Sequence, residues 1–472
     1  MKLDKITLRS ENFADWYTSV CSAAKLFSYA AIKGTINYLP NGWKIWTNLQ
    51  NEIDKRLKAT GAQNVQLPLF IKTSDFAKEK DHIEGFAPEA FLVKSIGTED
   101  LADPLIVRPT SEIPFSQLFK QQIVSHNDLP LKYNQWCGVY RAEKTTRPFL
   151  RGSEFFWQEL HAMFANREEC EKYTLIIHNL YNDFLKECCA LPVLAGKKSE
   201  GEKFPGAVDT YTREVWTQDG QCVQTGTSHY LGTSFCEMFE VTYQDKNNGY
   251  SYPHYMSAGI TTRIIGDLIV VHGDDKGLVM PFPIAPTQVA ILTIFANKDK
   301  NVSAKANELF NKLNSVYSVA LDESDDSFGY KIAHQETQGT PFSIIIGPKD
   351  LEQNKCMLIR RDNGVKQSIS LDEIEKVISE QAVEYQNTLY ANAKKHLDDS
   401  IVEVSTMDEF KKAIADSKIA LAPWGGTPAD EKSIKQLTGA NPRCVFSEDA
   451  NGKKCVFTGK PAKQMIYFAR AY

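Results

Sequence analysis

The chain has 472 residues, of which 42% are hydrophobic and 24% charged, and its formal net charge is −5. Length and composition predict about three globular domains and exclude a disordered chain. Apolar runs stay shorter than the roughly 20 residues of a membrane-spanning helix, and the acidic sum gives no global sign of nucleic-acid binding, although a local basic face stays open.

The N-terminal residues and the cysteines favour a cytoplasmic protein. Residues 1–16 carry both charge signs and no apolar stretch, unlike a secretory signal. The ten cysteines are scattered and form no C-x-x-C pair, so we expect buried, reduced thiols rather than disulfides.

The first predicted elements are a helix and a short strand. Apolar residues recur at three- and four-residue steps from Trp43 to Leu57, and Gly61 ends the helix. Residues 64–70 follow as a strand that contains Pro68, which suits a sheet edge. Helix and edge together are a candidate subunit contact, while a helix that only faces the core remains an alternative.

The region 100–283 alternates short β-rich runs with polar turns and with helical stretches such as 167–190. The predicted strands include residues 104–110, 234–244 and 266–274. This pattern indicates an antiparallel sheet with flanking helices, an α/β (α+β) fold without regular βαβ winding. The glycine loops of dinucleotide and Walker sites are absent, so side chains would have to hold any triphosphate.

The proline-rich run 277–286 predicts a domain boundary, after which the pattern changes to α/β. Strands at 288–295, 318–324, 342–348 and 356–362 accompany helices at 305–317 and 371–390, the second with a Ser370–Glu373 capping box. A final segment combines a helix over 407–418, opened by Thr406 and Glu409, with strand-like pieces at 419–424, 443–446, 454–457 and 464–472. The predicted domains are 1–283, 284–392 and 393–472.

Four clusters are dense in hydroxyls and ionisable groups: 107–112, 140–161, 224–232 and 257–263. Singly, each suits a solvated loop. Together they supply arginines, aromatics, carboxylates and histidines, and an arginine buried in a sheet needs an anionic partner. This mix suits a triphosphate, a purine and a small cation.

These clusters resemble a known family. Arg141-x-Glu143 with Arg151-x-x-x-Phe155, the run Gly259 to Arg263, and the helix and strand ending at Pro68 resemble motifs two, three and one of the class II aminoacyl-tRNA synthetases. The longer segments resemble the prolyl-tRNA synthetase family over nearly the whole chain: PTSE (109–112), PFLRGSEFFWQELH (148–161), QTGTSHYLG (224–232) and residues 261–291, through to the terminal YFARAY.

The resemblance implies activation of L-proline by ATP with Mg²⁺, and transfer of proline to tRNA(Pro). It assigns catalytic roles to Arg141 and Arg263. It assigns ATP contacts to Arg141, Glu143, Arg151, Phe155, Gln224, Thr227 and Arg263. It assigns proline contacts to Thr110, Glu112, Arg141, Trp157, Glu159, His161 and His229. Taken without the resemblance, both histidines suit ordinary structural roles.

For the second domain, the resemblance implies an anticodon-binding function. Glu336 matches a residue that reads a guanine, since a carboxylate accepts hydrogen bonds from guanine N–H groups. Ser343 stands where an arginine is usual. Lys349, Arg360 and Arg361 are further candidate tRNA contacts, with a solvated strand end as the alternative.

The third domain resembles the family's zinc-binding-like module, with its ligands lost. Trp424-Gly425-Gly426-Thr427 lacks the usual cysteines, only Cys444 and Cys455 remain, and Thr458 replaces a further cysteine, so we expect no structural zinc. The roughly 100 residues between motifs two and three leave no room for the bacterial-type editing domain. Together with Tyr472 at the end, the resemblance implies the archaeal or eukaryotic type, whose terminal carboxylate returns toward the active site. The helix and strand that resemble motif one imply a homodimer formed through them.

Two alternatives stay open at this stage. One is a synthetase of the same class for another amino acid, such as threonine or histidine. The other is an inactive paralogue that regulates or binds RNA, against which the joint retention of Arg141, Arg151, Phe155 and Arg263 argues.

Overall fold

The computed structural model describes residues 5–78 and 90–472. Its helices are α1 (Phe13–Ala23), α2 (Pro40–Ala59), α3 (Thr73–Phe76), α4 (Glu112–Gln122), α5 (Arg167–Glu187), α6 (Ser234–Met238), α7 (Arg263–His272), α8 (Lys300–Leu313), α9 (Phe328–Gln338), α10 (Pro348–Glu352), α11 (Ile374–Asp398), α12 (Met407–Ala415) and α13 (Pro428–Thr438). Short 3-10 turns lie at His126–Asp128 and Phe282–Ile284.

The strands of the first part are β1 (Phe27–Tyr29), β2 (Ile36–Tyr38), β3 (Gln63–Asn64), β4 (Phe70–Lys72), β5 (Phe91–Ile96), β6 (Glu99–Val107), β7 (Leu131–Tyr140), β8 (Glu154–Phe164), β9 (Leu194–Lys197), β10 (Asp209–Trp216), β11 (Cys222–Gly232), β12 (Tyr243–Gln244), β13 (Tyr250–Ser251) and β14 (His254–Thr261). Those of the rest are β15 (Val289–Thr293), β16 (Val319–Asp322), β17 (Phe342–Ile346), β18 (Lys355–Arg360), β19 (Lys366–Ser370), β20 (Ile401–Glu403), β21 (Ile419–Trp424), β22 (Ala440–Ser447) and β23 (Gln464–Arg470).

A seven-stranded sheet carries the first part of the chain, in the order β3-β7-β8-β14-β11-β10-β9. Its neighbouring strands are antiparallel except for β3 and β7. Helices α1, α2, α5 and α7 join one face of this sheet in a core that contains the fully buried Trp16, Trp46 and Tyr181. The predicted antiparallel sheet with flanking helices is therefore confirmed.

The second and third parts are smaller α/β units. In the sheet β16-β15-β17-β18-β19, β15 runs parallel to both neighbours and the remaining pairs are antiparallel, with α8 and α11 packed in its core. In the sheet β20-β21-β23-β22, only β20 and β21 are parallel, and α12 and α13 supply core residues.

Two strand predictions are wrong, because the spacing of apolar residues in these segments did not distinguish a strand from a helix. Residues 234–244 form α6 and the two-residue β12, and residues 266–274 belong largely to α7. Helix α7 is buried from Ile264 to Val270, so no polar face marks the helical repeat. A short β-branched run of this kind cannot be told from a buried strand by periodicity alone.

The predicted strand over 64–70 is also interrupted. It divides into β3 and β4, and the stretch around Pro68 between them is held by Arg108. The guanidinium of Arg108 donates to the carbonyl oxygens of Leu67 at 3.0 Å and Pro68 at 3.2 Å. These carbonyls therefore bond a side chain rather than a neighbouring strand.

Of the two predicted capping boxes, one forms. Thr406 and Glu409 make both reciprocal bonds at the start of α12. The box at Ser370 and Glu373 is wrong, because α11 begins only at Ile374 and its N-cap residue Glu373 makes no side-chain cap bond. Residues 454–457, predicted as a strand, form turn structure with an isolated bridge at Lys454.

All ten cysteines are buried and unpaired. Across 5–78 and 90–472, the structure contains no helix with the length and apolar character needed to cross a bilayer.

The third part docks on the first through a buried charge cluster. Glu214 on β10 is fully buried, and Lys198 donates to its Oε1 at 2.9 Å while Arg443 on β22 bonds its Oε2. Burial by itself would raise the pKa of Glu214, but these two cations lower it to about 2. The carboxylate therefore stays ionised inside the interface.

This cluster predicts how stability depends on pH. Because the pKa of Glu214 falls from 4.5 to about 2 on folding, its contribution is complete above pH 4.5 and disappears as the pH falls toward 2. We expect Glu214→Gln to lower Tm by about 5 °C at pH 7, and this deficit to shrink in acid. Scanning calorimetry measures it, with the exposed Glu352→Gln as control; a deficit that is constant from pH 7 to 2 would contradict the assignment.

Candidate active site

A cavity of about 300 Å³ opens over the central strands of the seven-stranded sheet. It brings together every residue that the sequence predicts for ATP or proline. Those residues are Thr110, Glu112, Arg141, Glu143, Arg151, Phe155, Trp157, Glu159, His161, Gln224, Thr227, His229 and Arg263. Four separate stretches of sequence thus meet at one site.

Four of these side chains belong to strand β8. Phe155, Trp157, Glu159 and His161 are alternate residues, so they lie on one face of the sheet. The intervening Gln158 points the other way, where its Oε1 accepts a 2.5 Å hydrogen bond from Tyr181 of α5. One face of this strand therefore packs in the core, and the other face lines the cavity.

Register places the neighbouring strands on the same rows. Ser257 of β14 lies opposite His161 of β8, and His229 of β11 lies opposite Ser257. The next strand, β10, places Thr210 opposite His229. A row of polar side chains therefore crosses four strands on the floor of the cavity.

Arg141 lies just after β7 over the aromatic residues of β8. Its Nε donates to the Pro109 carbonyl at 3.0 Å, and its guanidinium carbon lies 5.4 Å from the Phe155 ring centroid and 5.8 Å from that of Trp157. The backbone bond and the cation–π contacts fix the plane of the guanidinium. A fixed planar fork of donors suits a phosphate or a carboxylate.

Arg263, the first residue of α7, is anchored by two backbone carbonyls. Its Nε donates to Leu150 at 2.9 Å and its Nη1 to Gln224 at 2.8 Å. Burial lowers its pKa, partly offset by the carboxylate of Asp267 one turn along the helix, and the positive Arg151 lowers it further. This end of the cavity is therefore cationic, with Glu143 as the carboxylate nearby.

Glu159 is the centre of a buried hydrogen-bond network. Its Oε1 accepts from Ser111 at 2.6 Å and from Gln135, and its Oε2 lies 3.1 Å from Nε2 of His161. Nδ1 of His161 lies 2.5 Å from the hydroxyl of Tyr255. Burial raises the pKa of Tyr255, so its hydroxyl keeps the proton, and the tautomer of His161 sets which atom donates in each of these two contacts.

A second carboxylate closes the other end of the cavity. Glu112 is 4% exposed at the start of α4, where the helix dipole favours negative charge. Its Oε2 accepts from Thr110 at 2.5 Å and its Oε1 from Ser257 at 3.3 Å. A buried carboxylate facing a small cavity offers a place for an ammonium group.

His229 lies near this carboxylate, between the hydroxyl of Thr210 and the ring of Phe204. Its Nδ1 is 3.0 Å from Oγ1 of Thr210, and its ring centroid is 4.5 Å from that of Phe204. Burial lowers the pKa of His229 to about 4, even though Glu112 acts in the opposite direction. The imidazole is therefore neutral at physiological pH.

The sequence analysis gave no role to further cavity residues, among them Lys198, Phe204, Thr210 and Ser257. Ser257 belongs to the cluster 257–263, but the sequence analysis gave it no role. Thr210 is found only through its register with His229, and the charged loop that carries Lys198 and Phe204 gives no local signal of a site.

The residues predicted to contact the anticodon lie outside this cavity. Glu336 accepts from Lys276 at 2.7 Å, and Arg361 makes a bidentate pair with Asp274 at 2.6 and 2.8 Å. Arg360 pairs with Asp362 and Glu384, at 2.8 and 3.0 Å, while Lys349 is exposed on α10. Their contacts with tRNA stay predictions.

In the third part, Cys444 and Cys455 are buried in different apolar clusters. Within the described ranges, no group of three or more His, Cys, Asp or Glu side chains could hold a metal ion. Tyr472 docks on the first part, where its N–H donates to the Cys222 carbonyl at 3.0 Å and Arg147 contacts its ring and hydroxyl.

Three family descriptions match successive parts of the chain. The chain matches the family descriptions "tRNA synthetase class II core domain (G, H, P, S and T)" over residues 91–272, "Anticodon binding domain" over 288–381 and "Prolyl-tRNA synthetase, C-terminal" over 407–472. Proline–tRNA ligases are 47% identical in Ureaplasma parvum and 45% identical in Clostridium botulinum, over 100% of this chain and 99% and 98% of those proteins.

A solved structure is similar along the full length. The prolyl-tRNA synthetase of Cryptosporidium parvum, complexed with halofuginone and AMPPNP, superposes with a TM-score of 0.94. It is 35% identical, and the match covers 100% of both chains.

The environment of His229 makes one prediction. Because the folded pKa of about 4 lies below the ordinary 6.5, the stability contributed by neutral His229 is complete above pH 6.5 and is lost as the pH falls through 4. We expect its ring signals in ¹⁵N-histidine NMR, assigned through their loss in His229→Asn, to titrate near pH 4. A midpoint above pH 6 would contradict the assignment.

Proposed function

Since the chain belongs to the proline–tRNA ligases, which are class II aminoacyl-tRNA synthetases, we propose that this cavity joins L-proline to ATP as prolyl-adenylate and then to tRNA(Pro). The main support for this proposal is the cavity. One of its ends contains several arginines, of which Arg263 is anchored by backbone carbonyls, and the other end contains a buried carboxylate. Two oppositely charged reactants, a triphosphate and an ammonium, fit such a site.

At the cationic end, we assign ATP to Arg141, Glu143, Arg151, Phe155, Gln224, Thr227 and Arg263. Arg141 binds the α-phosphate, and Arg263 binds the γ-phosphate and stacks on the adenine opposite Phe155. The anchoring of Arg263 by two carbonyls supports this role, because a preoriented cation loses little freedom when the phosphate binds. The AMPPNP complex of the Cryptosporidium structure supports the use of ATP.

At the opposite end, we assign proline to Thr110, Glu112, Arg141, Trp157, Glu159, His161 and His229. Glu112 and Thr110 receive the secondary ammonium, and Arg141 orients the carboxylate. Glu159 has its oxygens engaged by Ser111, Gln135 and His161, so it holds the pocket wall in place. The apolar Trp157 and the neutral His229 suit the uncharged methylene carbons of the proline ring.

The chemistry requires positioning rather than a protein nucleophile. The carboxylate oxygen of proline attacks the α-phosphorus in line and pyrophosphate leaves; a ribose hydroxyl of the tRNA end then attacks the acyl carbon, and AMP leaves. Arg141 and Arg263 stabilise the negative charge that builds up on the phosphate oxygens.

The cationic end of the cavity contains a carboxylate that suits Mg²⁺. Glu143 lines the cavity together with Arg151 and Arg263, and the described residues contain no three-ligand cage. Mg²⁺ typically keeps several waters and binds one or two carboxylates besides the phosphates, so Glu143 would be its protein ligand. Bound there, it neutralises phosphate charge.

For tRNA, we assign anticodon recognition to Glu336, Lys349, Arg360 and Arg361. The match of residues 288–381 to an anticodon-binding domain supports this. Glu336 is partly exposed at the end of α9, where its partner Lys276 can move aside for a guanine.

We further propose the organisation predicted above: a catalytic domain over 1–283, an anticodon-binding domain over 284–392 and a C-terminal domain over 393–472 without structural zinc. The protein would be a cytoplasmic homodimer, joined through α2 and β3, of the archaeal or eukaryotic type without the editing insertion. The full-length match to the Cryptosporidium structure supports this type.

The amino-acid specificity is tested by ATP–pyrophosphate exchange. We expect exchange to depend on proline and to be about 10³-fold weaker with threonine or histidine, because neither side chain has the shape of the proline ring that the pocket is proposed to hold. Alanine and cysteine measure finer discrimination. Faster exchange with threonine or histidine would favour a different synthetase, and no exchange with any amino acid would favour an inactive paralogue.

The role of Arg141 is tested by substitution. Arg141→Ala should lower kcat/KM for exchange by about 10³-fold or more, since it removes a charge that stabilises the transition state. Arg167→Ala, on an exposed arginine at the start of α5, is the control and should keep normal exchange. Normal exchange in Arg141→Ala would refute the assignment.

A further inference from the structure

One loop of the first part lines the amino-acid end of the cavity and is bonded to the third part of the chain. Residues 198–208 connect β9 to β10, and Lys198, Glu202, Lys203, Phe204 and Pro205 of this loop line the cavity. Strand β9 is the outer strand of its sheet and lies against β22. A Cβ placed on Gly196 would lie 2.3 Å from the Val445 carbonyl oxygen, so the two backbones approach as closely as glycine permits.

Three bonds hold the outer side of the loop to the third part. Ser199 donates to Oε2 of Glu431 at 2.9 Å, and the Gly201 backbone also bonds Glu431. Asn441 donates to Oε1 of Glu202 at 2.9 Å. Glu431 and Asn441 are 6% and 4% exposed, so these bonds are shielded from water.

The inner side of the loop lies on the floor of the cavity. The N–H of Phe204 donates to Oγ1 of Thr210 at 3.0 Å, and the same hydroxyl lies 3.0 Å from Nδ1 of His229. The Phe204 ring contacts the His229 ring. Lys198, at the start of the loop, shares Glu214 with Arg443, whose Nη1 donates to Asn441 at 3.2 Å.

We propose that Glu431 and Asn441 of the C-terminal domain are positioning residues for the proline pocket: they hold the loop 198–205 so that Phe204 packs on His229 and closes the amino-acid end. This rests on the proposed function, because it takes that end of the cavity as the proline site. The arginine-rich end receives no contact from this loop's anchors, so the effect falls on proline rather than on ATP.

Two properties make Glu431 the best position for a test. Burial, with the neighbouring carboxylates of Glu202 and Glu200, raises its pKa to about 7, so its neutral form is well populated at physiological pH. Glutamine keeps an acceptor oxygen and the same length, whereas alanine removes the acceptor for Ser199 and Gly201. Arg443 is a poorer choice, since its loss would leave Glu214 charged and buried.

The experiment measures exchange with the full chain at varied proline and varied ATP. Glu431→Ala and Asn441→Ala should each raise KM for proline about tenfold, because each removes buried hydrogen bonds that hold the loop over the pocket, and change KM for ATP and kcat less than about twofold. Glu431→Gln should lie within about threefold of the unaltered chain. Lys432→Ala, on an exposed neighbour in the same helix, is the matched control and should change nothing.

Hydrogen exchange provides a second readout. The amides of 198–208 should exchange faster in Glu431→Ala and Asn441→Ala, while those of β11 stay protected. If Glu431→Ala does not fold, Asn441→Ala carries the test.

The outcomes separate the two proposals. Unaltered KM for proline in both alanine variants, equal impairment of Glu431→Gln and Glu431→Ala, or an equal rise in both KM values would overturn the positioning role alone. Absence of proline-dependent exchange in the unaltered chain would overturn the proposed function, and this inference with it.

Discussion

The two-residue repeat of an extended strand is the constraint on which the site depends. In β8 it sends Leu160 and Ala162 into the core and Glu159 and His161 into the cavity, so one eleven-residue strand builds both. A one-residue slip in register would exchange the two faces. The hydrogen bond from Tyr181 to Gln158 and the burial of the apolar residues both oppose such a slip.

Polar side chains in the cavity keep their positions because the protein satisfies their remaining hydrogen bonds. Backbone carbonyls anchor Arg141 and Arg263, and hydroxyls, an amide and an imidazole surround Glu159. A buried polar group without such partners costs about 1–3 kcal/mol, so these networks also specify the fold. The same bonds therefore stabilise the protein and orient the polar groups that face the cavity.

Ion pairs dock the second and third parts of the chain on the first. Helix α7 begins with Arg263 and ends beside Asp274, which pairs with Arg361 of the second part. Glu214, which accepts from the cavity-lining Lys198, pairs with Arg443 of the third part. Because both pairs include a buried cation, separating the parts would leave charge out of water, so charge as well as apolar burial fixes how the parts dock.

The sequence alone determined the family, the antiparallel core, and all thirteen residues proposed for ATP and proline, because those residues stand in short, specific segments. It misassigned α7 as a strand, since a run buried on every side has no polar face to report its period. It gave no role to Lys198, Phe204 or Thr210, and no sign that Glu431 and Asn441 approach the cavity. Such contacts join residues up to 239 positions apart, as between Glu202 and Asn441, and only strand register and domain docking decide them. The segments that carry the chemistry are thus local in the sequence, whereas the shape of the pocket that surrounds them is a property of the tertiary structure.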